Sequence, residues 1–153
     1  MSAGKWKQGK YALKNHSKYK GTLPIFYRSS WEHRVFYFLD HNPSIIEWAS
    51  ESIVIPYKSQ LDNKMHRYFV DVNFIVNDMN GNQKRYLIEI KPFDQTIPPK
   101  PPKKKTAKAI QRYNQAILIF QKNQDKWTYA EAWAKQNGYI FDKWTEHTLG
   151  LVR

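Results

Sequence analysis

The stretch HRYFVDVNFIVNDMNGNQKRYLIEIK, residues 66–91, decides the fold. His66 to Val76 is rich in β-branched and aromatic residues, Gln83 to Ile90 is a second such run, and Asn80-Gly81 between them is a hairpin signal. The length of the turn then fixes which side chains share a face. A two-residue Asn-Gly loop sets Met79 opposite Asn82 and Asp71 opposite Ile90, sending Asp71 and Glu89 to opposite faces of the sheet. A three-residue loop, Met79-Asn80-Gly81, with Gly81 left-handed in the bulge position, sets Asp78 opposite Asn82 and Asp71 directly across from Glu89. Lys91, two residues beyond Glu89, then shares its face. We expect this second register, which gathers two carboxylates and an amine. The plainer alternative is a polar Asp71 on an exposed face and a solvated Glu89–Lys91 pair. Against it, Asp71 interrupts one of the most apolar runs of the chain, and Glu89 lies between Ile88 and Ile90.

The rest of the sequence organises around this hairpin. Ser29 followed by Glu32 is a capping-box pattern, and Trp31, Val35, Phe38 and Leu39 predict an amphipathic helix that stops before Pro43. Short strands are expected at Ile45 to Trp48 and Ser52 to Tyr57. Thr96 to Lys105 (TIPPKPPKKK) is incompatible with a regular helix or a central strand and reads as an extended basic excursion. Helical periodicity returns over Ala107 to Gln121, a further helix is expected over Thr128 to Asn137 with Gly138 stopping it, and Tyr139 to Trp144 is the last strand. Trp31, Phe36, Phe38, Tyr113, Phe120 and Trp133 are the aromatic core candidates. The order helix, strands, helices, strand predicts an α/β domain with a mixed sheet. The 153 residues suit one domain, 1–153, with residues 1 to about 24 as a basic N-terminal arm.

Composition narrows the classes of function. No run approaches the roughly 20 apolar residues of a membrane span, and the N-terminal segment lacks the apolar centre of a signal peptide. Cysteine is absent, which excludes disulfides and thiolate metal sites and fits a cytoplasmic protein. The formal charge is +12, from 25 Lys and Arg against 13 Asp and Glu. Lys5, Lys7, Lys10, Lys14, Lys18 and Lys20 occupy the first twenty residues without an acid, and Lys100, Lys103, Lys104, Lys105 and Lys108 follow the second strand. Such clusters suit a polyanion, nucleic acid above all, and we expect them to bind double-stranded DNA with little sequence preference. An anionic membrane is the alternative, but no basic amphipathic helix with a clean apolar face accompanies the N-terminal cluster. Tyr11, Tyr19 and Trp6 either stack on bases or pin the arm to the domain.

Asp71, Glu89 and Lys91 together suit a hard divalent cation and phosphodiester cleavage, the acids as oxygen ligands. A lysine beside two acids argues for positioning water and stabilising charge over simple general-base action. Glu32 has two open readings, as a helix cap or as a further acid of the site. His33 and His66 lack metal-ligand spacing and read as surface or phosphate-contact residues. Tyr57 follows a strand, with cleft and packing roles both open.

An acid on a helix, an Asp in a strand and a strand ending Glu89-Ile90-Lys91, followed by helices and a strand, resemble the restriction-endonuclease-like, PD-(D/E)xK nuclease superfamily. Within it the chain looks like the TnsA-like transposon endonuclease amino-terminal domains, and most of all like the head completion nucleases of T4-type tailed phages. The last likeness is carried by GKWKQGKY (4–11), YRSSWEHRVF (27–36), VIPY (54–57), HRYFVDV (66–72), YLIEIKP (86–92) and QTIPP (95–99). Val70 departs from the superfamily motif, which has Pro before the acid. The resemblance implies a restriction-endonuclease-like mixed sheet flanked by helices and a Mg²⁺-dependent endodeoxyribonuclease, with Mn²⁺ able to substitute. Asp71, Glu89, the main-chain carbonyl of Ile90 and Glu32 would hold the metal, and Lys91 would orient or help deprotonate the attacking water. It also implies processing of packaged DNA during head completion, portal or other head-completion proteins as partners, and a location in the host cytoplasm or the virion head. Two alternatives use the same fold: a noncatalytic DNA-binding capsid component, and a repair nuclease specific for DNA structure.

Overall fold

In a computed structural model, residues 8–150 are described. Lys5, Lys7 and Trp6 lie outside them. The hairpin takes the three-residue register: β6 (Val72–Asn77) pairs antiparallel with β7 (Gln83–Ile90), Val72 opposite Ile88 and Asn77 opposite Gln83. Gly81 has φ 79°, and its N–H and that of Asp78 close the turn onto Asp78 O and Asn82 O. Asp78 Oδ1 also accepts from the N–H groups of Asn80 and Asn82, both at 2.9 Å, which holds the turn from the side-chain side.

β3 (Ile45–Ser50) adds antiparallel to β6, and β8 (Ile140–Trp144) adds parallel to β7, giving a four-stranded mixed sheet in the order β3-β6-β7-β8. Helices flank this sheet, and the expected α/β mixed-sheet class is what the molecule has. On one face lies α1 (Ser30–His41), capped by Ser29, whose Oγ accepts from Glu32 N–H at 3.1 Å. Its Val35, Phe36 and Leu39 pack with Trp48, Val72, Phe74 and Ile88. On the other face Leu87 and Phe141 meet Trp127, Ala130 and Ala134 of α2 (Ala107–Asn137) and the inner residues of a separate hairpin, β4 (Val54–Lys58) with β5 (Met65–Phe69).

Four expectations need correction. The run 66–76 is two strands: β5 pairs with β4, β6 joins the central sheet, and the chain changes sheets at Val70-Asp71. The two helices expected between 107 and 137 are one, 31 residues long. Its polar middle stays helical because Asp125 accepts from Gln60 N–H at 2.8 Å and Trp127 is buried against the sheet. Gly138 ends it at φ 76°.

The N-terminal segment from Gln8 onward is packed, with no free arm. β1 (Gly9–Lys10) pairs with β2 (Phe26–Tyr27), and Tyr11, Tyr19 and Ile25 enter the α1-side core. Asp40, fully buried, ties the segment down: it accepts from Tyr11 Oη at 2.7 Å and from the N–H groups of Lys14 and Asn15, each at 2.9 Å. Of the core aromatics, Phe36 is buried and Trp31 and Trp133 partly so, but Phe38 is exposed, and Tyr113 and Phe120 are only partly buried. Tyr57 is buried in the second core, a packing role.

Candidate active site

The switch between sheets positions the site. Glu51 N–H donates to Asp71 O and Val70 N–H to Ile53 O, so the chain leaves β5 and enters β6 with Asp71 at the corner. Extending the β6–β7 register by one residue sets Asp71 opposite Glu89, and Ile90 N–H donates to Asp71 Oδ2 at 2.7 Å. Glu89 is buried on the α2 face. Its Oε1 accepts from the hydroxyl of Tyr68, and its Oε2 lies 3.1 Å from Lys91 Nζ. Tyr68, on β5, escaped sequence reasoning because its partner is 21 residues away. Its phenol is pushed above its ordinary range by burial and by the charge of Glu89.

Loss of hydration raises the Asp71 carboxyl well above the ordinary aspartate range. Glu89 and, more weakly, Glu32 raise it further, against the opposing Ile90 N–H and Lys91. Glu32 is raised as well, by burial first. The Arg28 N–H and charge oppose this, while Glu51 and Glu89 add to it. Glu32 closes the helix start, Oε1 accepting from Arg28 N–H at 2.9 Å, and it stands within electrostatic reach of the other acids. Glu51, not singled out from the sequence, has φ 51°, an uncommon conformation for a residue with a Cβ, and takes the two prongs of Arg28 at 3.1 and 3.3 Å.

Lys126 reaches the site from α2. Its Nζ stands 5.4 Å from the centroid of the Tyr68 ring. Desolvation lowers the pKa of its ammonium; Glu89 and Asp71 oppose this, and Lys122 and Lys91 reinforce it.

The donors suit a hard cation, being carboxylate oxygens whose mutual repulsion a divalent ion relieves. Yet among the described residues no group of three or more His, Cys, Asp or Glu side chains stands ready to hold a metal ion. Glu89 has both oxygens occupied by Tyr68 and Lys91, and one oxygen of Asp71 is taken by Ile90 N–H. The residues fit Mg²⁺ by donor type and supply an incomplete shell.

The family model for the TnsA-like endonuclease N terminal matches residues 42–146, more than half of the chain, including β6, β7 and α2. The chain belongs to the TnsA-like endonuclease family. This TnsA-like chain is also 42% identical over 142 residues, 92% of each chain, to the head completion nuclease of Enterobacteria phage T4. No solved structure matches it.

The basic residues divide. Lys10, Lys14 and Lys20 are exposed, as are Lys100, Lys103, Lys104, Lys105 and Lys108 along the excursion and the start of α2. Lys18 is occupied structurally: its Nζ donates to Asp40 O at 3.0 Å and Asn42 O at 2.8 Å, closing the C-terminus of α1. His33 packs against the rings of Tyr11 and Tyr27, and His66 pairs with Asp62 at 2.7 Å. Among the described residues no helix is long and apolar enough to cross a membrane.

Proposed function

We propose that this chain is a Mg²⁺-dependent DNA endonuclease that processes packaged phage DNA in the host cytoplasm as the head is completed, working beside portal or other head-completion proteins. The observation that carries the chemistry is the meeting of Asp71 with Glu89 and Lys91 at the corner between two sheets. Likeness to the T4 head completion nuclease carries the biological setting.

In this reading Asp71 and Glu89 hold the ion, with the Ile90 carbonyl and Glu32 completing its oxygen shell. An ion held by these residues would supply an acidified water and screening of the phosphate as negative charge builds on it. Lys91, ion-paired to Glu89 in the free protein, orients the attacking water and stabilises developing charge. Tyr68 fixes the rotamer of Glu89 by donating to Oε1. Outside the site, Lys5, Lys7, Lys10, Lys14 and Lys20 and the lysines of 100–108 hold the duplex through its phosphates without reading sequence.

The test is cleavage of supercoiled, linear and branched DNA with Mg²⁺ or Mn²⁺, together with binding across a salt series. Metal-dependent cutting, and a salt slope that flattens when both lysine clusters are neutralised, are expected. No cutting of any DNA form would favour a noncatalytic DNA-binding head component, for which the occupied oxygens of Glu89 are the supporting observation. Cutting confined to branched DNA would favour the structure-specific repair nuclease.

A further inference from the structure

Lys126 is partly buried, yet among the described residues its amine has no carboxylate within ion-pair distance; the ion pairs are Arg28–Glu51, His66–Asp62 and Lys91–Glu89. It stands over a π face, the ring of Tyr68, whose hydroxyl already donates to Glu89. A desolvated ammonium that has a ring face and the charges of Glu89 and Asp71 at longer range, but no direct ion pair, is incompletely compensated, and an anion entering the site supplies what is missing. The surroundings narrow which anion. Lys122 lies one turn before Lys126 on the same helix face. Lys91 directly follows β7, and Lys143, directly across from Glu89 on β8, shares the face of Glu89 with its Nζ 4.9 Å from the Trp127 ring.

Lys91, Lys126 and Lys143 therefore stand around Glu89 on the α2 side, with Lys122 one turn from Lys126. A free carboxylate ligand brings a single negative group and so engages one amine or two. A phosphodiester offers two non-bridging oxygens in a chain of like groups, which suits amines spaced along a helix and two strands.

We infer that Lys126, supported by Lys122, is a phosphate-binding residue that seats a backbone phosphate of the cut DNA strand against the Asp71–Glu89 pair. The inference rests on the nuclease reading above and extends it to a residue on α2. Sequence inspection gives no hint of it, since 126 lies 35 positions beyond Lys91.

The experiment measures binding of a short duplex in chelator, across a salt series, by the parent, Lys126→Gln, Lys126→Arg and, as a control at the far end of the same helix, Lys135→Ala. Melting curves establish that each variant is folded. Lys126→Gln, which keeps most of the chain length without the charge, is expected to bind several-fold more weakly and to lose about 0.9 from the magnitude of the log–log salt slope; Lys126→Arg should restore both and Lys135→Ala should change neither. With Mg²⁺, Lys126→Gln should lower turnover at saturating DNA by about 10²-fold. Parent-like metal-free affinity and slope in folded Lys126→Gln would overturn the inference while leaving the nuclease reading intact. A parent that cuts no DNA, with the Gln variant still weakened, would sink the nuclease reading and keep the phosphate contact.

Discussion

Asp40, in the last turn of α1, and Asp71, between β5 and β6, are both withdrawn from water, but their surroundings differ. Asp40 is fully buried and faces donors only: the Tyr11 hydroxyl and the N–H groups of Lys14 and Asn15. Burial alone would raise its carboxyl, yet these donors outweigh it and hold the group below the usual aspartate range. Asp71 is less buried and accepts from one N–H while facing Glu89 and Glu32, and its carboxyl moves the other way. Degree of burial does not separate a structural acid from a candidate site acid here. The count of donors against like charges does: it assigns Asp40 to fastening the N-terminal segment and leaves the charge of Asp71 uncompensated, as the proposed cation site requires.

The contrast breaks most visibly in cleavage. Asp71→Ala or Glu89→Ala should abolish detectable cutting while leaving much of the DNA affinity, because the lysine clusters supply it separately. Parent-rate cutting by the double variant would remove the site. Asp40→Asn should cost about 3 kcal/mol in urea unfolding, since an amide presents a donor to donors, yet the folded fraction should cut normally.

Acid should sharpen the pair further. The folded pKa of Asp40 is depressed, so its contribution to stability is complete above the unfolded value of about 3.9 and is lost as pH falls through the lower folded value. Asp71 is raised, so its contribution is present at low pH and lost as pH rises through the folded value. Without metal, Asp71→Asn should therefore match the parent in acid and melt at a higher temperature than the parent as pH approaches 7. A gap that closes with rising pH would contradict the environment described for Asp71.

The smallest effect separates the two roles of Glu32. Ser29→Ala should cost about 1 kcal/mol of stability with turnover unchanged. Glu32→Gln keeps an acceptor for Arg28 N–H but removes the charge: a site acid gives a large loss of rate in a folded protein, a mere cap near-normal turnover.

Much of the site was legible because its determinants are local. The Asn80-Gly81 turn and the alternation on either side set the register that brings Asp71 to Glu89. The break at Val70-Asp71 was not, since the hydrophobic run is continuous and only pairing with β4 shows that its first half belongs to another sheet. The unity of α2 was hidden for a similar reason. The polar stretch between Gln121 and Thr128 separates the two expected helices, and the partner of its Asp125, Gln60 N–H, is 65 residues away. Tyr11 and Tyr19 were open between stacking on bases and pinning the segment, and their partners, Asp40 among them, come from distant parts of the chain. Tyr68, Glu51 and Lys126 carry no motif. Their relevance arises when three elements converge on Glu89 and Asp71.

The length of α2 has a consequence for local opening. Thirty-one residues extend about 46 Å, whereas the eight residues of β7 span roughly 26 Å, so the helix overhangs the sheet. Its first half exposes Ile110, Ile117, Leu118 and Ile119, while Trp127, Ala130 and Ala134 are buried. One continuous hydrogen-bonded rod should therefore open as two cooperative units. In hydrogen–deuterium exchange the amides of 111–120 should exchange through cheap fraying from the N-terminal end, and those of 127–134 only when the sheet itself opens.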